Sequence, residues 1–146
     1  MNIRKMNKKI MAIIKSQNEL FLILKTNPKH MMTDKWFVVT GSVKSDESEE
    51  EAVAREVEEE TGLKILKIQP TDLSFKYEWP LGSSKMHHEK AFLVTAEEGP
   101  IKLNRWEHLD YQWLGKDEFL ETIAWQGDKL ELGKILARPT KAAEDI

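Results

Sequence analysis

Three features of the sequence predict an α/β (α+β) fold, with strands and helices mixed in one domain. Two runs of apolar and β-branched residues, Ile10 to Lys15 and Leu20 to Lys25, are separated only by Ser16-Gln17-Asn18-Glu19, the pattern of a β-hairpin. A helix with both ends marked lies between Ser48 and Gly62. Strand-like alternation returns from Leu63 and gives way, after Lys116, to apolar residues at helical spacing. At 146 residues the chain has the length of one domain, residues 1–146, with one substantial core.

Taken in order, the hairpin leads into Thr26 to Lys35, where Pro28 and polar residues predict a loop. Trp36 to Val39 is a short strand delivering the chain to Gly41, where the missing Cβ allows an unusual backbone angle. Ser48 caps the helix, Glu51 completes a capping box, and Gly62 ends it as a C′ glycine. Val53 and Val57 form its apolar stripe, and Ala52 and Ala54 permit close approach. Leu63 to Ile68 suits a strand that Pro70 interrupts. Leu73 to Trp79 and Met86 to Ala96 read as a second hairpin around Pro80 to Ser84. Glu97-Glu98-Gly99-Pro100 is a turn, and Trp113 and Leu114 in the segment after it belong to the core. Lys116 to Ile123 and Asp128 to Ala137 are helices; Pro139 stops the second, and Thr140 to Ile146 is a loose tail.

Composition narrows the function. A net charge of −3, with 32 % charged and 40 % hydrophobic residues, describes a soluble globular protein without bulk attraction for polymeric nucleic acid. The absence of cysteine excludes disulfides, thiolate metal sites and cysteine nucleophiles, and fits a reducing cytoplasm. The opening MNIRKMNKK is basic, but Ile10 to Ile14 is too short for a signal-peptide core or a membrane span. A cytoplasmic protein without a membrane partner, monomer or homodimer, is expected.

The helix contradicts ordinary helix economics. Glu56, Glu59 and Glu60 share one face, where like charges repel. They also lie in the last turns, where the helix dipole disfavours anions by roughly 0.3 to 1 kcal/mol each. Arg55 offers local relief, with Glu51 one turn before it and Glu59 one turn after. A divalent cation would remove the conflict, magnesium or in its place manganese. Glu49, Glu50 and Glu58 read instead as a solvated acidic face.

The spacing Gly41, five residues, Glu47, seven residues, then Arg55-Glu56-Val57-x-Glu59-Glu60-x-Gly62-Leu63 resembles the complete signature of the Nudix hydrolase family. That resemblance implies a loop-helix-loop motif on an α/β/α sandwich with a mixed central sheet, and hydrolysis of a nucleoside diphosphate linked to another moiety. It implies that Glu56, Glu59 and Glu60 bind the cation and supply the base, that Glu47 is a supporting acid and Arg55 an orienting residue. The backbone carbonyl of Thr40 or Gly41 would add a ligand. The chain departs from the family where Thr40 and Asp46 stand in place of frequent glycines, which bears on loop shape and so on substrate.

The segment Trp106 to Leu114 is similar to Nudix enzymes acting on dihydroneopterin triphosphate, deoxynucleoside triphosphates or dinucleoside polyphosphates. By that likeness Glu107 is a further ligand or general base; otherwise it is a surface residue. Candidate substrate contacts are Lys25, Lys35, Trp36, Lys44, Tyr77, Trp79 and His88, with Lys29 and His30 beside them. Each has a plainer reading, solvated for the cations and core or sheet packing for the aromatics. His87 and His88 point to opposite faces of a regular strand, so one of them at most faces the cleft. The expected reaction is magnesium-dependent attack of water on one phosphorus, with Glu59 or Glu107 accepting the proton. A nucleoside or dihydroneopterin triphosphate would give monophosphate and pyrophosphate; the rivals are an asymmetric dinucleoside tetraphosphate hydrolase and a non-catalytic nucleotide sensor.

Overall fold

The computed structural model of the chain describes residues 6–137. Strand β1 (Asn7–Ser16) alternates between two buried faces, with Ile10, Ala12 and Ile14 on one and Met11 and Ile13 on the other. Antiparallel β2 (Phe21–Thr26) divides the same way, Leu22 and Leu24 against Phe21 and Ile23. Strands covered on both faces read in sequence as unbroken apolar runs, which is what Ile10 to Lys15 and Leu20 to Lys25 are.

The expected loop after β2 contains a one-turn helix, α1 (Pro28–Met31). Asn27 caps it, accepting from Lys29 N at 3.1 Å, and proline at the first helical position favours a helix start as readily as a loop. The single strand expected over Trp36 to Val39 is two: β3 (Trp36–Phe37) pairs with β2, and β4 (Val39–Ser42) pairs with β1. Helix α2 (Glu49–Thr61) has the predicted ends, with both capping-box hydrogen bonds present and Gly62 left-handed at φ 72°.

Strand β5 (Ile65–Glu78) runs through Pro70 instead of stopping there. It is the edge strand of the path β3-β2-β1-β6-β5, its register slips between Pro70 and Ser74, and an edge strand tolerates a residue that cannot donate. Strand β6 (Met86–Ala96) is antiparallel to β5 and parallel to β1, so the sheet is mixed. Glu97 to Pro100 forms neither the expected turn nor a regular element, and Glu97 N donates to Lys64 O at 3.0 Å. Strand β7 (His108–Leu114) lies along β2, with Trp113 and Leu114 half-buried against opposite faces of the sheet.

Helices α3 (Lys116–Thr122) and α4 (Lys129–Leu136) bury Phe119, Leu132, Ile135 and Leu136 against the face that carries Met11 and Ile13. Helix α2 buries Ala52, Val53 and Val57 against the other. The result is an α/β/α sandwich. Pro139 and the tail Thr140 to Ile146 lie outside the described residues. Among the described residues no helix is long and apolar enough to cross a membrane.

Because Ser48 and Glu51 satisfy each other's backbone amides at 3.1 and 2.7 Å, Ser48→Ala should lower stability by about 1 kcal/mol. Urea unfolding should show a lower midpoint with an unchanged slope.

Candidate active site

Helix α2 crosses β1 and β4, and this brings its carboxylates to Gly41. Gly41 pairs with Ile10 in the sheet, and a Cβ built on it would run into the Glu56 carboxylate. Gly41 does not adopt the left-handed backbone angle expected of it; the glycine is there for close approach.

Arg55 gathers the loop and the helix. It grips Glu47 twice, Nη2 to Oε1 at 2.7 Å and Nε to Oε2 at 3.1 Å, and donates to Ser42 O at 2.9 Å. Its Nη1 reaches Glu56 Oε2 at 3.1 Å and Glu59 Oε1 at 3.3 Å. Glu51, one of the two partners predicted for Arg55, is instead held in the capping box, accepting from Ser48 N at 2.7 Å. Glu47 also accepts from Lys44 N at 2.9 Å, and the guanidinium holds its carboxyl down at about 2, from an ordinary 4.5. The Lys44 side chain is exposed.

Glu60 is 1 % exposed, and its Oε1 meets His108 Nε2 at 2.7 Å while its Oε2 has no hydrogen-bond partner. Burial, then the charges of Glu107 and Glu56, pushes the Glu60 carboxyl far up. Glu60 lies beside the Glu56 carboxyl, and a hydrogen bond between two such acceptors forms only when one is protonated. Glu107 is raised too, by burial and then by Glu56 and Glu59. Its side chain accepts from Asn104 Nδ2 at 3.1 Å, and its carbonyl accepts from Asn27 N at 2.8 Å. Burial lowers His108 to about 4, so the imidazole is neutral near pH 7.

Glu56, Glu59, Glu60 and Glu107 therefore form one electrostatic group although β7 is remote in sequence from α2. Among the described residues, no three His, Asp or Glu side chains are already spaced to hold a metal ion. Glu56 and Glu59 are turned to Arg55 and Glu60 to His108, an arrangement that keeps the repelling carboxylates apart. The orphaned oxygen of Glu60 and the raised carboxyls fit a hard divalent cation, whose charge would reverse both shifts.

The candidate substrate contacts fall into separate places. Lys25 Nζ sits 5.8 Å from the Trp36 ring and 3.3 Å from Asp34, and Lys35 Nζ lies 4.6 Å from the Phe37 ring. Trp36 packs with the α3–α4 core, on the sheet face opposite α2. Tyr77 donates to Glu89 at 2.8 Å, and Trp79 is 56 % exposed near the β5–β6 turn. His87 contacts Trp79 O at 2.9 Å, whereas His88 faces a cavity of about 580 Å³. That cavity opens between the start of α2 and the strands β5 and β6, lined also by Glu49, Asp72 and Lys90, and it does not include Glu56, Glu59, Glu60 or Glu107. Glu49, expected on a solvated face, pairs there with Lys90 at 3.4 Å. His30 stacks on Trp106 at 3.4 Å, beside Glu107. The sequence assigns His108 no role; 48 residues separate it from Glu60, and the two meet only through the packing of the fold.

Comparison with known proteins follows the same lines. The family model for the NUDIX domain matches residues 7–132. The chain is similar to the NAD-capped RNA hydrolase NudC of Photobacterium profundum, 34 % identical over 115 residues, covering 79 % of this chain and 40 % of that protein. Its fold is similar to the E. coli dihydroneopterin triphosphate pyrophosphohydrolase, with a TM-score of 0.70, 21 % identity, and coverage of 92 % of this chain and 98 % of that one. It is also similar to the MutT protein from Methanosarcina mazei Go1, with a TM-score of 0.70, 26 % identity, and coverage of 95 % and 100 %. The chain spans less than half the length of the curated relatives it matches.

Gly41→Ala should displace Glu56 and weaken magnesium binding by about 10-fold or more while the circular dichroism spectrum is retained; isothermal titration measures it. The Glu47–Arg55 pair predicts a pH dependence. Glu47 titrates lower in the folded than in the unfolded protein, so the pair's stabilisation is present above the ordinary 4.5 and is lost as pH falls through about 2. Parent and Glu47→Gln should accordingly differ in thermal midpoint at pH 7 and converge in acid.

Proposed function

The chain belongs to the NUDIX domain family, and on that premise we propose that it hydrolyses a diphosphate linkage in a nucleoside triphosphate or dihydroneopterin triphosphate, yielding monophosphate and pyrophosphate. The observation that carries this reading is the buried Glu60 oxygen without a partner, facing a group of carboxylates that burial and mutual repulsion leave short of positive charge.

Glu56 and Glu60, with the Gly41 carbonyl, would hold magnesium, or manganese in its place. When bound, the cation neutralises phosphate charge and acidifies water. Arg55 orients Glu56 and Glu59 and ties both to the Glu47 loop. Glu59, whose side chain is 48 % exposed, is the best placed to take the proton of the attacking water, with Glu107 as the alternative base. The water oxygen joins one phosphorus, an anhydride P–O bond breaks, and the departing oxygen leaves on pyrophosphate. The cavity of about 580 Å³ beside His88 and Lys90 has the volume of a small-ligand site. It lies roughly 10 Å from Glu56 along the helix axis, within reach of a polyphosphate ester. Trp36, on the opposite sheet face, is left out of this assignment.

A second reading, a dinucleotide pyrophosphate of the NAD type, capped RNA included, is favoured by the similarity to NudC. The net charge of −3 weighs against tight binding of the RNA body, for which phosphate contacts are the main source of affinity.

Product release should be followed for nucleoside triphosphates, dihydroneopterin triphosphate, dinucleoside tetraphosphates, NAD and NAD-capped RNA, with magnesium and with chelator. Turnover of the triphosphates that chelator abolishes is the expected result. Magnesium and nucleotide binding with no turnover of any substrate would make the protein a sensor instead. Glu59→Gln should lower kcat by about 10²- to 10⁴-fold without lowering the thermal midpoint, and near-normal turnover would move the base to Glu107.

A further inference from the structure

Glu60 reaches its place in the carboxylate group through one side chain. The imidazole of His108 approaches its Oε1 at 2.7 Å, and both residues are buried, at 4 % and 1 % exposure. Two atoms of the pair have no partner, Glu60 Oε2 and His108 Nδ1. A neutral imidazole carries its proton on one nitrogen only. If the proton were on Nδ1, that N–H would be a buried donor with no acceptor, and Nε2 could not donate to a carboxylate. With the proton on Nε2, the imidazole donates to Glu60 Oε1, and Nδ1 keeps only an unused lone pair. The backbone prevents the ring from drifting, since His108 N donates to Asn104 O at 2.9 Å and His108 pairs with Thr26 at the end of β2. The turn just before β7 thus presents Glu107, and the adjacent residue, at the start of β7, sets the orientation of Glu60 on α2.

We propose that His108 is a positioning residue: by donating from Nε2 to Oε1 it fixes the orientation of the Glu60 carboxyl and leaves Oε2 free for the divalent cation. The proposal rests on the metal site assigned above. Partners of this kind are worth about 10- to 100-fold in metal affinity.

The test uses Mn²⁺ alone, with no substrate, and reads free Mn²⁺ by electron paramagnetic resonance. His108→Phe keeps the ring and removes the donor, and its Kd for Mn²⁺ should rise by about 10- to 100-fold. His108→Gln carries an amide donor near the position of Nε2, and its Kd should return close to that of the parent at matched thermal stability. A packing role alone would not separate these two variants, and equal Mn²⁺ affinity in parent and His108→Phe overturns the proposal. A parent that binds no Mn²⁺ overturns the metal site itself, and the positioning role with it. The tautomer is read on the parent by long-range ¹H–¹⁵N correlation, so a variant that does not fold leaves a decisive measurement. Protonation on Nε2 supports the role, and protonation on Nδ1 overturns it.

Discussion

The site depends on the guanidinium of Arg55. It holds two oxygens of Glu47, one each of Glu56 and Glu59, and the carbonyl of Ser42, so one cation binds the end of β4, the loop and the helix together. Such a fork satisfies several acceptors in a fixed plane, which a lysine could not do. Without it three glutamates in the last turns of α2 would face one another and the negative end of the helix dipole. Glu60 is not among the carboxylates Arg55 holds; its buried carboxyl meets the imidazole of His108 instead.

The sheet makes this arrangement possible by dividing its faces. Strands β1, β2 and β6 carry apolar side chains on both sides, so α2 docks on one face while α3 and α4 close the other. The close contact between β4 and α2 at Gly41 brings main-chain atoms to the carboxylates. Strand β7 completes the site from the edge of β2, and Asn27 at the head of α1 pins the turn that carries Glu107. Helix α2 thus supplies Glu56, Glu59 and Glu60, and the pinned turn before β7 supplies Glu107.

Local signals were read from the sequence correctly where the structure is itself local. The capping box, the glycine stop of α2 and the shared face of Glu56, Glu59 and Glu60 depend on spacings of three and four residues. The structure departs from the sequence pattern where one residue type serves two environments. Pro28 starts a helix and Pro70 sits within an edge strand, because proline breaks structure only where its missing N–H is needed. Arg55 had two partners available by helical spacing, and the cap took one of them. Trp36 had the chemistry of a base-stacking residue, but the side of the sheet on which it packs depends on a strand break at Val38 that no periodicity announces.

By itself the sequence determined the two-sided strands, the capped helix, the clustered carboxylates and the family they belong to, since each of these is written in short-range pattern. Tertiary structure alone decided that Glu60 is buried against His108, that Glu107 joins the group, and that the cavity opens beside His88 and away from Trp36. The physical reason is that burial and charge coupling depend on which strands pair and on which face each helix covers. Those are contacts between segments tens of residues apart, and the spacing of neighbours along the chain does not encode them.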